Sequence, residues 1–187
     1  PYVRVEEVRV ERWGKLLEET ARPRVAVSPR PRVSVLMVGV CWRGDQRVAS
    51  LRGRSFPALE LLPLAQLAGV TLVNLQHGIE PPAELRIVTL PGLGPRDMKL
   101  EDIAAVMRHL DLVITCDTSI AHLAGALGVQ VWVALKHAAC WRWMLDREDS
   151  PWYPTMRLFR QTKAGDWAGA FERIAAALSE RARLPAV

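Results

Sequence analysis

The sequence predicts an α/β domain, a parallel sheet wrapped by helices on both faces. Three observations carry that reading. Short, nearly continuous apolar runs recur at residues 33–40, 70–75, 112–116 and 129–135, and runs of this length without polar alternation suit strands buried on both sides. Segments with apolar residues at helical spacing lie between them, as at Ile103, Val106, Met107 and Leu110. Strand and helix patterns alternate along the chain, which calls for crossover connections and therefore parallel pairing. The chain has 187 residues, half of them hydrophobic, enough for one domain with a real core.

Taken in order, residues 1–20 read as a short strand-like piece followed by a helix bearing Trp13, Leu16 and Leu17. Residues 21–32 carry four Arg and three Pro and read as a linker. This divides the chain into an N-terminal arm and linker, 1–32, and a domain over 33–187. The first core strand spans 33–40. Pro57 opens a helix through 68, and Pro63 predicts that it is short or kinked. A second strand covers 70–75. A Pro- and Gly-rich loop over 76–98 follows, with a short strand expected at 87–90. A helix over 100–110, a third strand at 112–116, a short helix over 119–127 ended by Gly128 and a fourth strand at 129–135 complete the centre. An aromatic loop over 136–154 leads to a fifth strand at 156–159. Asp166 caps a last helix whose stripe includes Trp167, Phe171, Ile174, Ala175 and Leu178.

Composition excludes several classes. No apolar run reaches the ~18 residues of a membrane span, and no signal-peptide pattern opens the chain; a cytoplasmic protein is expected. Cys41, Cys116 and Cys140 are odd in number and widely spaced, giving neither a disulfide framework nor a zinc pattern. Residues 1–54 hold twelve Lys/Arg against six Asp/Glu, so the net charge of +5 is concentrated in the first third. That excess attracts anions, but no nucleic-acid motif accompanies it and no nucleic-acid partner is expected. The histidines are scattered, no carboxylate pair has catalytic spacing, and no dinucleotide fingerprint or Walker motif appears. Neither a metal nor another cofactor is expected.

In a parallel sheet ligands sit beyond the carboxyl ends of the strands, so the loops after the strands are the place to look. The strongest signal is Asp117-Thr118-Ser119-Ile120-Ala121-His122, between the third strand and a helix of small residues. First-turn amides have no intrahelical partner and carry about half a positive charge, so a phosphate is stabilised there without a side-chain cation. The same residues read equally well as a helix cap and a packing histidine. Trp42-Arg43-Gly44, followed by Arg54-Ser55, offers forked donors on a loop that can approach an anion, or else a solvated basic surface. Gln76 and His77 end the second strand, and Lys136 ends the fourth, placed to meet negative charge. Trp141, Trp143, Trp152 and Tyr153 can stack on a base or a sugar, or fill a core.

With these motifs the chain resembles the C-terminal half of the heptosyltransferase-like glycosyltransferases, especially those fused behind tetratricopeptide repeats in bacteria. The resemblance is carried by Gly39-Val40-Cys41-Trp42-Arg43-Gly44, Arg54-Ser55-Phe56-Pro57, Leu75-Gln76, the stretch from Leu110 to Thr118, the stretch from Ala121 to Gly128, Trp141-Arg142-Trp143 and Ser150-Pro151-Trp152-Tyr153-Pro154 through Phe159-Arg160-Gln161. It implies one half of a GT-B-type fold, two Rossmann-like domains facing a cleft, with this chain as the donor-binding half. It implies transfer of a sugar from a nucleotide sugar to a hydroxyl of an acceptor glycan, lipid or protein, without a required metal. The loop matching Asp117 to His122 would cradle the donor diphosphate, with Trp42, Arg43, Gly44, Arg54, Ser55, Gln76 and Lys136 facing the donor or the cleft. The N-terminal Rossmann half, its acidic base and the repeats are expected partners outside this chain, which alone should bind donor weakly and not turn over. Val48-Ala49-Ser50-Leu51 stands where the family usually has a His and an Asp-Arg, and Cys140 where it usually has an acid; both bear on sugar or acceptor selectivity. The competing reading is a non-catalytic nucleotide- or sugar-binding or scaffold module that keeps the fold.

Overall fold

The computed structural model describes residues 2–21, 35–45, 47, 52–93 and 99–183. The Arg- and Pro-rich linker and the 48–51 departure lie almost wholly outside the described residues.

Five strands form one parallel sheet: β1 Leu36–Cys41, β2 Val70–Asn74, β3 Leu112–Cys116, β4 Val131–Leu135 and β5 Met156–Arg160. Their order is β2-β1-β3-β4-β5. Every residue of β3 and β4 is buried, as their unbroken apolar runs require of central strands covered on both faces. The helices are α1 Glu7–Ala21, α2 Leu62–Ala65, α3 Leu100–Met107, α4 Ser119–Leu127 and α5 Trp167–Arg183.

Two apolar layers hold the helices to the sheet. One joins Trp13 and Leu17 of α1, Ile103, Val106 and Met107 of α3, and Ile120, Ala121 and Ala124 of α4 to Val113, Val131 and Val133. The other joins Leu64 of α2 and Phe171, Ile174 and Leu178 of α5 to Val38, Leu112, Ile114 and Trp132. Asp166 caps α5 as expected, its Oδ1 accepting from the Gly169 amide at 2.9 Å. Gly128 takes φ 73° at the C-cap of α4, the left-handed conformation glycine adopts without Cβ strain.

Three local readings need revision. The 57–68 helix is broken into a 3-10 turn, Ala58–Leu61, and the single turn α2, because Pro63 cannot donate in an extended helix. Residues 87–90 contribute only an isolated parallel bridge between Val73 and Val88. The N-terminal residues form no strand; the backbone amide of Tyr2 instead donates to the Ala126 carbonyl at 2.6 Å, closing the end of α4. Helix α1 is tied to α3: Asp102 Oδ1 accepts from Arg9 at 2.7 Å and from the Trp13 indole at 2.9 Å.

Candidate active site

The connection from β1 leads to β2 on one side, and the chain then crosses to β3 on the other side of β1. This reversal makes a crevice between the carboxyl ends of β1 and β3, the place where open α/β sheets bind ligands. A cavity of about 890 Å³ opens there. The loop after β1 supplies Arg43, Gly44, Asp45 and Arg47, and the segment after β3 supplies Asp117, Thr118, Ser119, Ile120 and His122. Arg54, Gln76 and His77 complete its polar wall, and Leu100 and Ile103 of α3 its apolar one.

Thr118 is the N-cap of α4, with extended backbone (φ −138°, ψ 174°) and no side-chain capping bond. The Ala121 amide donates to the Thr118 carbonyl at 3.1 Å; the Ser119 and Ile120 amides have no side-chain cap, both residues line the cavity, and the positive end of the helix dipole lies there. Asp117 is buried, and Arg54 Nη1 lies 3.1 Å from its Oδ2. That pair is close in distance yet poor in hydrogen-bond geometry, and both Asp117 Oδ2 and Arg54 Nε are buried without a hydrogen-bond partner. Buried polar atoms in that condition cost free energy unless a further partner arrives.

His122 lies one turn into α4. Its Nδ1 is 3.2 Å from the Tyr153 hydroxyl and its ring stacks on Trp143 at 5.2 Å. Burial pushes its pKa below the ordinary value of 6.5, with Arg142 and Arg54 adding to that direction and Asp117 opposing it, so the ring is neutral at pH 7. Asp45 is held down to about 2, chiefly by hydrogen bonds from the Arg47 side chain. Cys41, at the cavity floor, is pushed up to about 11 by burial, an inert thiol at neutral pH. Among the described residues no group of three or more His, Cys, Asp or Glu is placed to hold a metal ion.

Of the residues singled out from sequence, Arg43, Gly44, Arg54, Gln76, Asp117, Thr118, Ser119, Ile120 and His122 are brought together around this cavity. Four others are not. Trp42 turns into the opposite apolar layer, 4% exposed. Ala121 is fully buried against the sheet. Ser55 accepts from the Gly44 amide at 3.1 Å and braces the loop. Lys136 donates to the Arg52 carbonyl at 3.2 Å. Gln76 lines the cavity, but its side chain is already engaged: Oε1 accepts from the Trp42 and Arg43 amides at 3.1 and 2.8 Å, and Nε2 donates to the Arg43 and His77 carbonyls at 3.0 and 2.9 Å. It is a bolt between the loops after β1 and β2. Arg142, a cavity residue not selected from sequence, comes from the aromatic loop; its place in the Trp141-Arg142-Trp143 motif was the available signal.

Residues 84–135 match the model of glycosyltransferase family 9 (heptosyltransferase). The structure of Escherichia coli ADP-heptose lipopolysaccharide heptosyltransferase II superimposes with a TM-score of 0.55 at 14% identity, over 97% of this chain and 54% of that one. A glycosyl transferase family 9 structure from Veillonella parvula superimposes with a TM-score of 0.58 at 13% identity, over 97% of this chain and 53% of that one. Among individual relatives, Protein FlbA of Caulobacter vibrioides is 30% identical over 190 residues, which cover 96% of this chain and 29% of FlbA. The chain thus spans about half the length of the solved structures and under a third of FlbA.

Proposed function

We propose that this chain is the donor-binding part of a glycosyltransferase that moves a sugar from a nucleotide sugar to an acceptor hydroxyl. The observation that carries the reading is the start of α4: Thr118, Ser119 and Ile120, without a side-chain cap, line a cavity of about 890 Å³ that is also lined by Arg43, Arg47, Arg54 and Arg142. A diphosphate on the Ser119 and Ile120 amides meets donors that the helix leaves without an intrahelical partner, and Arg54, whose Nε has no hydrogen-bond partner, gains an acceptor. As the glycosidic bond breaks, negative charge grows on the leaving nucleoside diphosphate. Fixed dipoles and arginines stabilise that charge without reorganising. Neutral His122, held by Tyr153 and Trp143, donates or accepts at the same place according to its tautomer.

Sugar transfer also requires removal of the acceptor proton. Both carboxylates lining the cavity among the described residues face an arginine, Asp45 against Arg47 at 2.8 Å and Asp117 against Arg54 at 3.1 Å. Asp45, titrating near 2, is too weak a base for a sugar hydroxyl at neutral pH. The base expected from the resemblance is an acidic residue of a second, N-terminal Rossmann half, a partner together with the repeats. The same observation supports the rival reading of a binding module without turnover, so activity is tested at the scale of the whole molecule below.

The direct test is calorimetric titration of ADP, GDP and UDP into the wild type, His122→Ala and Arg54→Ala. At least one diphosphate binds the wild type, and each substitution weakens it by roughly 10-fold or more, the value of a charge-assisted hydrogen bond. Unchanged affinity in both variants removes these residues from the site.

A further inference from the structure

Beside the diphosphate cavity lies a second hollow of about 500 Å³, formed where the aromatic loop crosses α4. Tyr2, Trp141, Trp152, Tyr153 and Ala126 line it, and His122 and Arg142 form a wall shared with the first cavity. The tryptophans of this loop divide by role. Trp143 is 1% exposed and stacks on His122, so it is core. Trp141 is 73% exposed and Trp152 46% exposed, a large apolar area to leave in water beside a binding cavity. The Trp152 indole N–H is already spent on the Arg142 carbonyl at 3.0 Å, which fixes the ring and leaves its face for contact. The Arg142 guanidinium lies over Trp141 at 5.7 Å, and its Nε is buried without a hydrogen-bond partner.

Flat aromatic faces with an unmet donor and a phenol at the rim suit a ligand that is apolar on its faces and rich in hydroxyls at its edge. We propose that this groove is a subsite for a pyranose ring, the ring stacking on Trp152 and Trp141 with its hydroxyls toward Arg142 and Tyr153. A purely aliphatic occupant, which has no acceptor, would leave Arg142 Nε unmatched, at the cost attached to a buried donor. Continuity through His122 and Arg142 places the ring next to the diphosphate, so it belongs either to the donor sugar or to the acceptor glycan. The proposal rests on the reading of the first cavity as a diphosphate site only for that choice, not for the stacking itself.

The experiment follows the indole N–H signals of the full chain labelled with 15N-tryptophan. Methyl α-glucoside, methyl α-mannoside and N-acetylglucosamine are added first, without nucleotide. Calorimetry then compares ADP with ADP-glucose, GDP with GDP-mannose and UDP with UDP-glucose. The expected result is that at least one of these sugars shifts the Trp141 and Trp152 signals, that Trp152→Phe retains binding, and that Trp152→Ala loses it by up to about 10-fold, the value of one aromatic contact, with diphosphate affinity unchanged. Trp141→Ala, which removes the most exposed ring, serves if Trp152→Ala does not fold. A nucleotide sugar that binds more tightly than its diphosphate, with the advantage lost in Trp152→Ala, assigns the ring to the donor. Equal affinities with free-glycoside shifts assign it to the acceptor. The proposal is overturned if no glycoside or nucleotide sugar moves either indole, or if binding survives removal of both rings. Glycoside shifts without any diphosphate binding leave the groove standing and remove the function proposed above.

Discussion

His122 shows how little of a residue's chemistry its spacing conveys. Its position one turn into α4 is visible in the sequence; the Tyr153 hydroxyl and Trp143 ring that hold it come from 31 and 21 residues away. Those contacts bury the ring and lower its pKa, and two opposite pH dependences follow. A diphosphate favours the charged ring, so the bound state titrates higher than the free one. Affinity for a nucleotide sugar should then rise as pH falls from about 8 through the ordinary histidine range near 6.5, and level off once the free ring is also protonated. Calorimetry across that range checks this, and the dependence should be absent in His122→Ala. Folding stability moves the other way. The unfolded chain protonates at the ordinary value and the folded chain only below it, so the contribution present above about 6.5 is lost as pH falls toward the folded value. Gln76 carries the complementary lesson: its side chain satisfies four backbone groups of two loops, which its neighbours in the sequence do not reveal.

At the scale of elements, α4 works because it lies close to what flanks it. A Cβ added at Gly125 would meet Tyr153 Cγ at 2.5 Å and Cβ at 3.0 Å. The obstruction includes the root of the tyrosine side chain, so a rotamer change does not relieve it. Gly125→Ala should gain the helix propensity of alanine, about 1 kcal/mol, and lose more to overpacking, about 1–3 kcal/mol. It should also push Tyr153 off His122 and weaken diphosphate binding. A denaturant midpoint at or above that of the wild type, with unchanged diphosphate affinity, would show that the helix and the aromatic loop are not coupled this way. The run of small residues, Ala121, Ala124, Gly125 and Ala126, signalled close packing in the sequence; what it packs against was not legible.

For the whole molecule the deciding feature is the order β2-β1-β3-β4-β5. It sets the reversal at β1, and with it the crevice lined by the loops after β1, β2 and β3. Two apolar layers fix the sheet from both faces, and no helix among the described residues is long and apolar enough to cross a membrane. If the acidic base lies in an N-terminal half, as proposed, the chain alone should bind a nucleotide sugar and consume none. Joined on one polypeptide to an N-terminal Rossmann half carrying an acidic loop, it should release nucleoside diphosphate in the presence of acceptor. A fusion that binds donor equally well and releases none places the chain among non-catalytic modules.

The five core strands, the alternation of strand and helix, and the caps at Asp166 and Gly128 were determined by the sequence itself. Each rests on local chemistry: apolar periodicity, a side-chain acceptor or a backbone angle within a few residues. Tertiary structure alone decided that Trp42 faces a core and not a ligand, that Gln76 braces loops, that Arg54 pairs with Asp117 across 63 residues, and that Trp141 and Trp152 stay open while Trp143 is sealed. These depend on which face of the sheet a loop returns to and which distant group meets it there, and such meetings are set by strand order, which no local pattern encodes.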